Sequence, residues 1–177
     1  MPSTSNMFRK PATSLRTPRA EDGAAIWNLV RDCKPLDENS MYCNLIQCDH
    51  FAETCVAAIR ADGKLVGWIS AYLLPDDPQT LFVWQVAVSP LAQGQGVGKR
   101  MLNHLLDREA CKDVTRMQTT ITPDNEASWA LFSSLARSRG ARLTDRPHYR
   151  RDDHFDGRHE TEHMVTIRFP DESRAAA

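Results

Sequence analysis

The sequence predicts an α+β fold, with a mixed and mostly antiparallel sheet flanked by helices. Two β-rich runs meet at Asp62-Gly63, a dipeptide that favours the positive φ angles of a tight hairpin. The run 81–89 is apolar at nearly every position, which is typical of a central strand buried on both faces. A glycine-rich turn and an amphipathic segment follow this run directly, which indicates one strand–loop–helix crossover within the sheet.

In the first half, a turn-rich stretch precedes Ser40, which is placed to cap a short helix. The elements expected there, in order, are a strand at 15–17, a helix at 20–32, a short helix over 41–46, and the hairpin strands 54–61 and 64–74. In the second half we expect the strand 81–89, a helix opened by the glycine-rich turn, a strand at 114–121, a helix from Thr122 to Gly140, a polar loop at 146–158, and a strand at 163–169. Thr122 and Pro123 suit the N-cap and the first helical position.

Length and charge set limits on the class of protein. The chain has 177 residues, enough for about one domain. Its 22 basic and 23 acidic residues leave a net charge of -1, which argues against a nucleic-acid-binding protein. No apolar run approaches the ~18 residues of a membrane span, so no membrane partner is expected. Five cysteines, an odd number, favour a reducing cytoplasm over a disulfide framework. We expect a disordered leader at 1–13, a domain at 14–169 and a flexible tail at 170–177.

The segment Gln93-Gly94-Gln95-Gly96-Val97-Gly98-Lys99 carries the clearest chemistry. At a helix N-terminus several backbone N–H groups lack an intrahelical partner, and the helix dipole adds partial positive charge. Such a turn binds phosphate or pyrophosphate. A Walker A loop would need a hydroxyl residue after Lys99, and a Rossmann fingerprint would need a different glycine spacing.

The pattern Q/R-x-x-G-x-G/A, satisfied by Gln93, Gly96 and Gly98, resembles the coenzyme A loop of the GCN5-related N-acetyltransferase (GNAT) superfamily. The resemblance extends to the strand before the loop and to a later helix that begins near an asparagine. It implies the fold of that superfamily, acetyl-CoA as co-substrate and no metal. The cofactor-binding residues that it implies are Val86, Val88, Gln93, Gly94, Gln95, Gly96, Val97, Gly98, Lys99, Asn125 and Phe132.

Phe132 departs from the family pattern. Many members have a tyrosine there, whose hydroxyl can protonate the leaving thiolate, and phenylalanine cannot. The chain contains only three tyrosines, Tyr42, Tyr72 and Tyr149. The general acid therefore stays open between another tyrosine, water and direct proton transfer.

Five segments together resemble the branch of the superfamily that acetylates L-2,4-diaminobutyrate in ectoine synthesis: 36–42, 55–58, 82–88, 122–125 and 159–164. The resemblance implies direct transfer to the γ-amine in a ternary complex, and a homodimer. A diamino acid carries two ammonium groups and one carboxylate, so its pocket needs both anionic groups and donors. The substrate-binding candidates are Asp37, Glu38, Asn39, Tyr42, Trp84, His159 and Glu162.

The reaction requires a neutral amine, and an alkyl ammonium titrates near 10, so a base must take its proton. Glu162 is the first candidate and Asp37 the second, with Tyr42 completing the catalytic set. Backbone N–H groups of strand 86–88 are expected to polarise the thioester carbonyl.

Other interpretations remain at this point. Another small amine, such as a polyamine, can be the acceptor, or the chain can bind acetyl-CoA without turnover. His159-Glu160-Thr161-Glu162-His163 matches the zinc hydrolase pattern H-E-x-x-H, which works only on a helix. Here the pattern runs into a β-rich segment, which argues against a metal site. Asp37 and Glu38 can be solvated turn residues, and Trp84 and Tyr42 can belong to the core.

Overall fold

A computed structural model describes residues 13–170, so all but the last residue of the predicted leader and the first of the predicted tail lie outside the described residues. The strands are β1 (Thr13–Arg16), β2 (Val56–Arg60), β3 (Leu65–Leu74), β4 (Asp77–Val88), β5 (Arg116–Ile121), β6 (Arg142–Tyr149) and β7 (Glu162–Arg168). The helices are α1 (Gly23–Asp32), α2 (Met41–His50), α3 (Val97–Leu106), α4 (Glu126–Ser138) and the single turn α5 (Arg151–His154).

The seven strands form one sheet in the order β1-β2-β3-β4-β5-β7-β6. All neighbours are antiparallel except β4 and β5, which are parallel and pair only between Thr80–Phe82 and Arg116–Gln118. Beyond Phe82 the two strands separate. A gap therefore opens in the middle of the sheet between the second half of β4 and the end of β5.

A β-bulge lies at the start of this gap. Ser70 of β3 pairs with Gln85, but the next residue, Ala71, pairs with Val83, so Trp84 is one residue more than the ladder accommodates. A bulge bends its strand and redirects its side chains, and bulges are common beside active sites. Here it leaves the Trp84 side chain half exposed at the gap, at 51%.

Helices cover both faces of the sheet. α3 and α4 pack on one face over a core that includes Leu81, Val83, Met101 and Leu135. α1 packs on the other face against Trp68 and Ala87. Between residues 13 and 170, no helix combines the length and the apolar character that crossing a bilayer requires.

The predicted fold class is confirmed, and most predicted elements appear within a few residues of their expected bounds. Gly63 has φ 83° in the hairpin, and the Ser40 hydroxyl accepts a hydrogen bond from Cys43 N at 3.1 Å, as its predicted capping role requires. The predicted cap at Thr122 and Pro123 is wrong. The Asn125 side chain caps α4 by accepting from Ser128 N at 3.1 Å, and the helix begins at Glu126.

The polar loop predicted at 146–158 is also wrong in part. Its first residues complete β6, and residues 151–154 form α5. β6 is an edge strand with both faces largely exposed, so its sequence shows no apolar alternation, and Pro147 at a register shift weakens the strand signal further.

Candidate active site

The gap between β4 and β5 opens into a cavity of about 630 Å³. Both strands contribute to its walls, and loops from each end of the chain close it. Of the residues predicted from the sequence, it is lined by Asp37, Trp84, Val86, Asn125, Phe132, His159 and Glu162. The fold thus brings together predicted cofactor and acceptor residues in one space.

The glycine-rich loop continues from β4 to the N-terminus of α3. Gly94 and Gly96 have φ angles of 69° and 70°, and the first helical hydrogen bond runs from Arg100 N to Gly96 O. The N–H groups between these two residues therefore have no intrahelical partner and are available to an anion. The Gln93 side chain donates to Val88 O at 3.2 Å, which ties the loop to the end of the strand.

Three other predicted cofactor residues lie on or against α4. The Asn125 Oδ1 accepts the hydrogen bond that caps α4, and Asn125 also lines the cavity. Phe132 is buried and lines the same cavity with its ring. Lys99 donates to Ser134 Oγ at 3.1 Å and so links α3 to α4. A loop with free N–H groups leading into a cavity with an amide wall fits an elongated anionic co-substrate such as acetyl-CoA.

At the acceptor end, His159 lies between two carboxylates. Its Nε2 is 3.9 Å from Asp37 Oδ2 and 3.8 Å from Glu162 Oε1. Its Nδ1 lies 2.8 Å from Glu160 O, and because a carbonyl oxygen only accepts, Nδ1 carries the proton. The imidazole also packs on Phe155, with ring centroids 4.7 Å apart. His159 therefore faces Asp37 and Glu162 with Nε2 in a fixed orientation.

Glu162 is the most buried of these carboxylates, with 18% of its side chain exposed. Burial raises its pKa, the charge of His159 and a hydrogen bond with the Thr120 side chain oppose this shift, and Asp37 and Asp124 add to it. Its Oε2 is buried and has no hydrogen-bond partner among residues 13–170. A carboxylate in this state is suited to accept a proton from a bound ammonium group.

The remaining predicted acceptor residues do not line the cavity. Glu38 forms ion pairs with Lys34 and Arg31, which lower its pKa and hold it at the surface. Asn39 lies behind the cavity wall, and its Nδ2 is 3.4 Å from the Oε1 of Gln85, which lines the cavity. Tyr42 is exposed on α2. Asp37 and Glu162 therefore line the cavity, whereas Glu38, Asn39 and Tyr42 do not.

Several cavity residues were missed by the sequence analysis. They are Gln85, Thr120, Arg151, Phe155 and Arg158; Tyr149, one of the three tyrosines left open as the general acid, also lines the cavity. Tyr149 is the one tyrosine among the described residues that lines the cavity, and it pairs with Glu162 across β6 and β7. For the missed residues the one sequence signal was weak, namely a polar glutamine within the apolar run 81–89.

The two histidines of the H-E-x-x-H pattern do not share a site. His159 lies in the loop before β7 and faces Asp37 and Glu162, whereas His163 lies on β7 and contacts Asp145 Oδ2 at 2.8 Å. Among the described residues, no cluster of three or more His, Cys, Asp or Glu side chains is arranged to hold a metal ion. The two histidines thus do not share the helix face that the zinc hydrolase pattern requires.

The chain is similar in sequence and fold to known acetyltransferases. A model of the Acetyltransferase (GNAT) family matches residues 23–136. The L-2,4-diaminobutyric acid acetyltransferase of Methylotuvimicrobium alcaliphilum is 48% identical over 157 residues, which cover 89% of this chain and 91% of that protein. The enzyme of the same name from Vibrio cholerae is 44% identical over 163 residues, covering 91% and 94%.

Among solved structures, the diaminobutyrate acetyltransferase EctA from Paenibacillus lautus, in complex with its substrate L-2,4-diaminobutyric acid and coenzyme A, matches with a TM-score of 0.86. The two chains are 40% identical, and the match covers 91% of this chain and 98% of that one. This chain thus shares its fold with a protein to which it is related along nearly its whole length. The chain belongs to the Acetyltransferase (GNAT) family.

Proposed function

We propose that this protein transfers the acetyl group of acetyl-CoA to the γ-amine of L-2,4-diaminobutyrate. The observation that carries the proposal is the cluster of Asp37, His159 and Glu162 at one end of the cavity that opens between β4 and β5. Two carboxylates at that end suit a substrate with two ammonium groups. The diaminobutyrate acetyltransferases that match along nearly the full chain support the same acceptor.

Acetyl-CoA, when bound, supplies the acetyl group as an activated thioester. The N–H groups at the start of α3 bind its pyrophosphate, and Asn125 contacts it from α4. Backbone N–H groups of β4 near Val86 and Val88 polarise the thioester carbonyl where the strand is free of β5. Val86 lines the cavity, so this part of β4 faces both substrates.

On the acceptor side, Asp37 and Glu162 bind the ammonium groups, and Arg151 or Arg158 of the cavity wall pairs with the substrate carboxylate. Glu162 accepts one proton from the γ-ammonium, which leaves a neutral amine. The amine nitrogen forms the C–N bond as the C–S bond breaks. The nitrogen then loses a second proton, the thiolate of coenzyme A takes up one proton, and coenzyme A leaves as the thiol.

A thiol-release assay with acetyl-CoA tests this function on diaminobutyrate, ornithine, lysine and a polyamine. We expect diaminobutyrate to give the highest kcat/KM, and mass spectrometry of the product to place the acetyl group on the γ-nitrogen. Equal rates on all four amines would contradict the acceptor, and thiol release without an acetylated amine would contradict the transfer.

His159 offers a test of the proposed base. Because the charge of His159 opposes the raised pKa of Glu162, His159→Asn is expected to raise the pKa of Glu162 further. A general base acts only when deprotonated, so the acidic limb of the kcat/KM profile should move to higher pH. His50→Asn, an exposed histidine on α2, is the matched control. If the acidic limb of His159→Asn stayed at the wild-type pH, the group that titrates there would not be influenced by His159, which would contradict Glu162 as the base.

The proposal includes a cytoplasmic homodimer. The exposed rings of Phe51, Trp84 and Tyr149 line a second, mostly apolar cavity of about 510 Å³ beside the first, and patches of this kind mark interaction surfaces. The five free cysteines are consistent with a reducing compartment. Sedimentation analysis tests the dimer, and a monomer at assay concentration would contradict it.

A further inference from the structure

Gln85 is a polar side chain within the apolar second part of β4, residues 81–88. It is 7% exposed and lines the 630 Å³ cavity. It follows Trp84, the extra residue of the bulge. Buried polar side chains need hydrogen-bond partners, so its contacts indicate what it does.

Both polar atoms of Gln85 contact the loop between α1 and α2. Its Nε2 donates to Asp37 O at 2.9 Å, and its Oε1 faces Asn39 Nδ2 at 3.4 Å. Residues 37–40 have no regular secondary structure. The backbone of this loop is also held by Trp27, whose Nε1 donates to Asn39 O at 3.0 Å, and the Glu38 side chain pairs with Arg31 of α1. Gln85 is thus the direct connection from β4 to the backbone of Asp37.

The bulge is what makes this connection possible. Val83 and Val86, on either side of it, both face the α3 and α4 side of the sheet. In a regular strand side chains alternate between faces, so if Trp84 occupied a ladder position of its own, Gln85, two residues after Val83, would point to that apolar side. With the bulge it pairs with Ser70 and faces the α1 and α2 side instead. An amide buried on the other side would have no loop to contact.

The Asp37 carboxylate depends on this tether for its place. Its side chain is 90% exposed, and within residues 13–170 its one ion pair is the contact with His159 at 3.9 Å. Gln85 directly precedes Val86, whose backbone we assign to the acetyl group. A single side chain therefore links the loop that carries an acceptor carboxylate to the strand that holds the donor.

We propose that Gln85 is a positioning residue, which sets the distance between the Asp37 loop and β4 and thereby selects the chain length of the diamino acid. This inference rests on the proposed function. A loop held in register with β4 places one ammonium group on Asp37 while the other reaches the thioester. A longer diamino acid then places its reacting amine beyond the correct position, and small misplacements of reacting atoms are costly.

The test compares Gln85→Met, which keeps the side-chain length but removes both hydrogen bonds, with Gln118→Met. Gln118 on β5 donates to Thr166 Oγ1 at 3.2 Å, so its variant loses one hydrogen bond of the same kind in the same sheet, away from the loop. We expect Gln85→Met to raise the KM for diaminobutyrate by about three- to tenfold, the effect of one or two hydrogen bonds. The ratio of its kcat/KM for diaminobutyrate to its kcat/KM for ornithine should fall, and its KM for acetyl-CoA should stay unchanged. Gln118→Met should change none of these.

Hydrogen exchange of the peptide spanning 35–40 gives a second readout that does not depend on the acceptor. Exchange should rise in Gln85→Met and in Gln85→Glu, whose ionised carboxylate cannot donate to Asp37 O, and should stay unchanged in Gln118→Met. Wild-type exchange in both Gln85 variants would overturn the tether, and an unchanged preference for diaminobutyrate in Gln85→Met would overturn its role in selection. A wild-type protein that acetylates no diamino acid would overturn the proposed function, while the exchange experiment would still decide the tether.

Discussion

Glu162→Gln is expected to lower kcat by about 10²- to 10⁴-fold, the contribution of a positioned general base. Glutamine has the same shape but cannot take a proton from an ammonium group. The Oε2 of Glu162 is buried and has no hydrogen-bond partner among residues 13–170, so this oxygen is available to the ammonium group of the substrate. Steady-state kinetics on diaminobutyrate measure the loss.

The same substitution is expected to leave stability equal or higher at neutral pH. Burial raises the pKa of Glu162, so the folded protein holds this proton more tightly than the unfolded chain does. The stability contributed by that proton is full below the unfolded pKa and is lost as pH rises through the folded pKa. Glutamine is neutral at every pH and avoids the loss. The Tm of Glu162→Gln relative to wild type should therefore be more favourable at neutral than at acidic pH.

Glu109→Gln is the matched control, since this glutamate is exposed and its ion pair with Lys112 lies in a surface turn. Both its activity and its Tm should stay near wild type. If Glu162→Gln kept its activity, Glu162 would be removed as the base, and Asp37 would be the next candidate. If both the activity and the Tm of Glu162→Gln fell, Glu162 would have a structural role that its Oε2, which has no hydrogen-bond partner among residues 13–170, does not indicate.

The parts of the site that the sequence predicted are those encoded within a short segment. The glycine loop is contiguous, and the free N–H groups of Gly96 to Lys99 follow from the local helix start alone. The cap of α4 shows the limit even of local prediction. Thr122, Pro123 and Asn125 all favour a helix start within four residues, and the structure uses the Asn125 side chain, which bonds Ser128 N.

The parts of the site that the sequence did not predict depend on contacts and strand pairing between segments far apart in the chain. Glu38 and Asp37 are neighbours of equal charge, yet Lys34 holds the first at the surface while His159 faces the second. Gln85 reaches the loop because Trp84 is accommodated as a bulge and not as a paired position of β4, and no local sequence pattern predicts a bulge. Tyr149 joins the cavity because β6 pairs with β7, and the polar sequence of β6 resembles a loop.

Gly96→Val is expected to raise the KM for acetyl-CoA by more than about tenfold, because each hydrogen bond to a charged group contributes about 1.5–3 kcal/mol. Gly96 has φ 70°, a conformation that a β-branched residue rarely adopts. A Cβ at this position would meet no atom within 4 Å, so the substitution acts through the backbone rather than through a clash. Moving the backbone out of this conformation would turn the following N–H groups away from the pyrophosphate.

Gly63→Val separates this effect from a general loss of stability. Gly63 has φ 83° in the β2–β3 hairpin, and a Cβ there also meets no atom within 4 Å. Both substitutions impose the same kind of strain, roughly 1–2 kcal/mol, but only Gly96 precedes the N-terminus of α3. We therefore expect similar losses of Tm and a raised acetyl-CoA KM in Gly96→Val alone. Equal KM values in the two variants would mean that the coenzyme is held by Asn125 and β4, and that the glycine loop contributes only a turn.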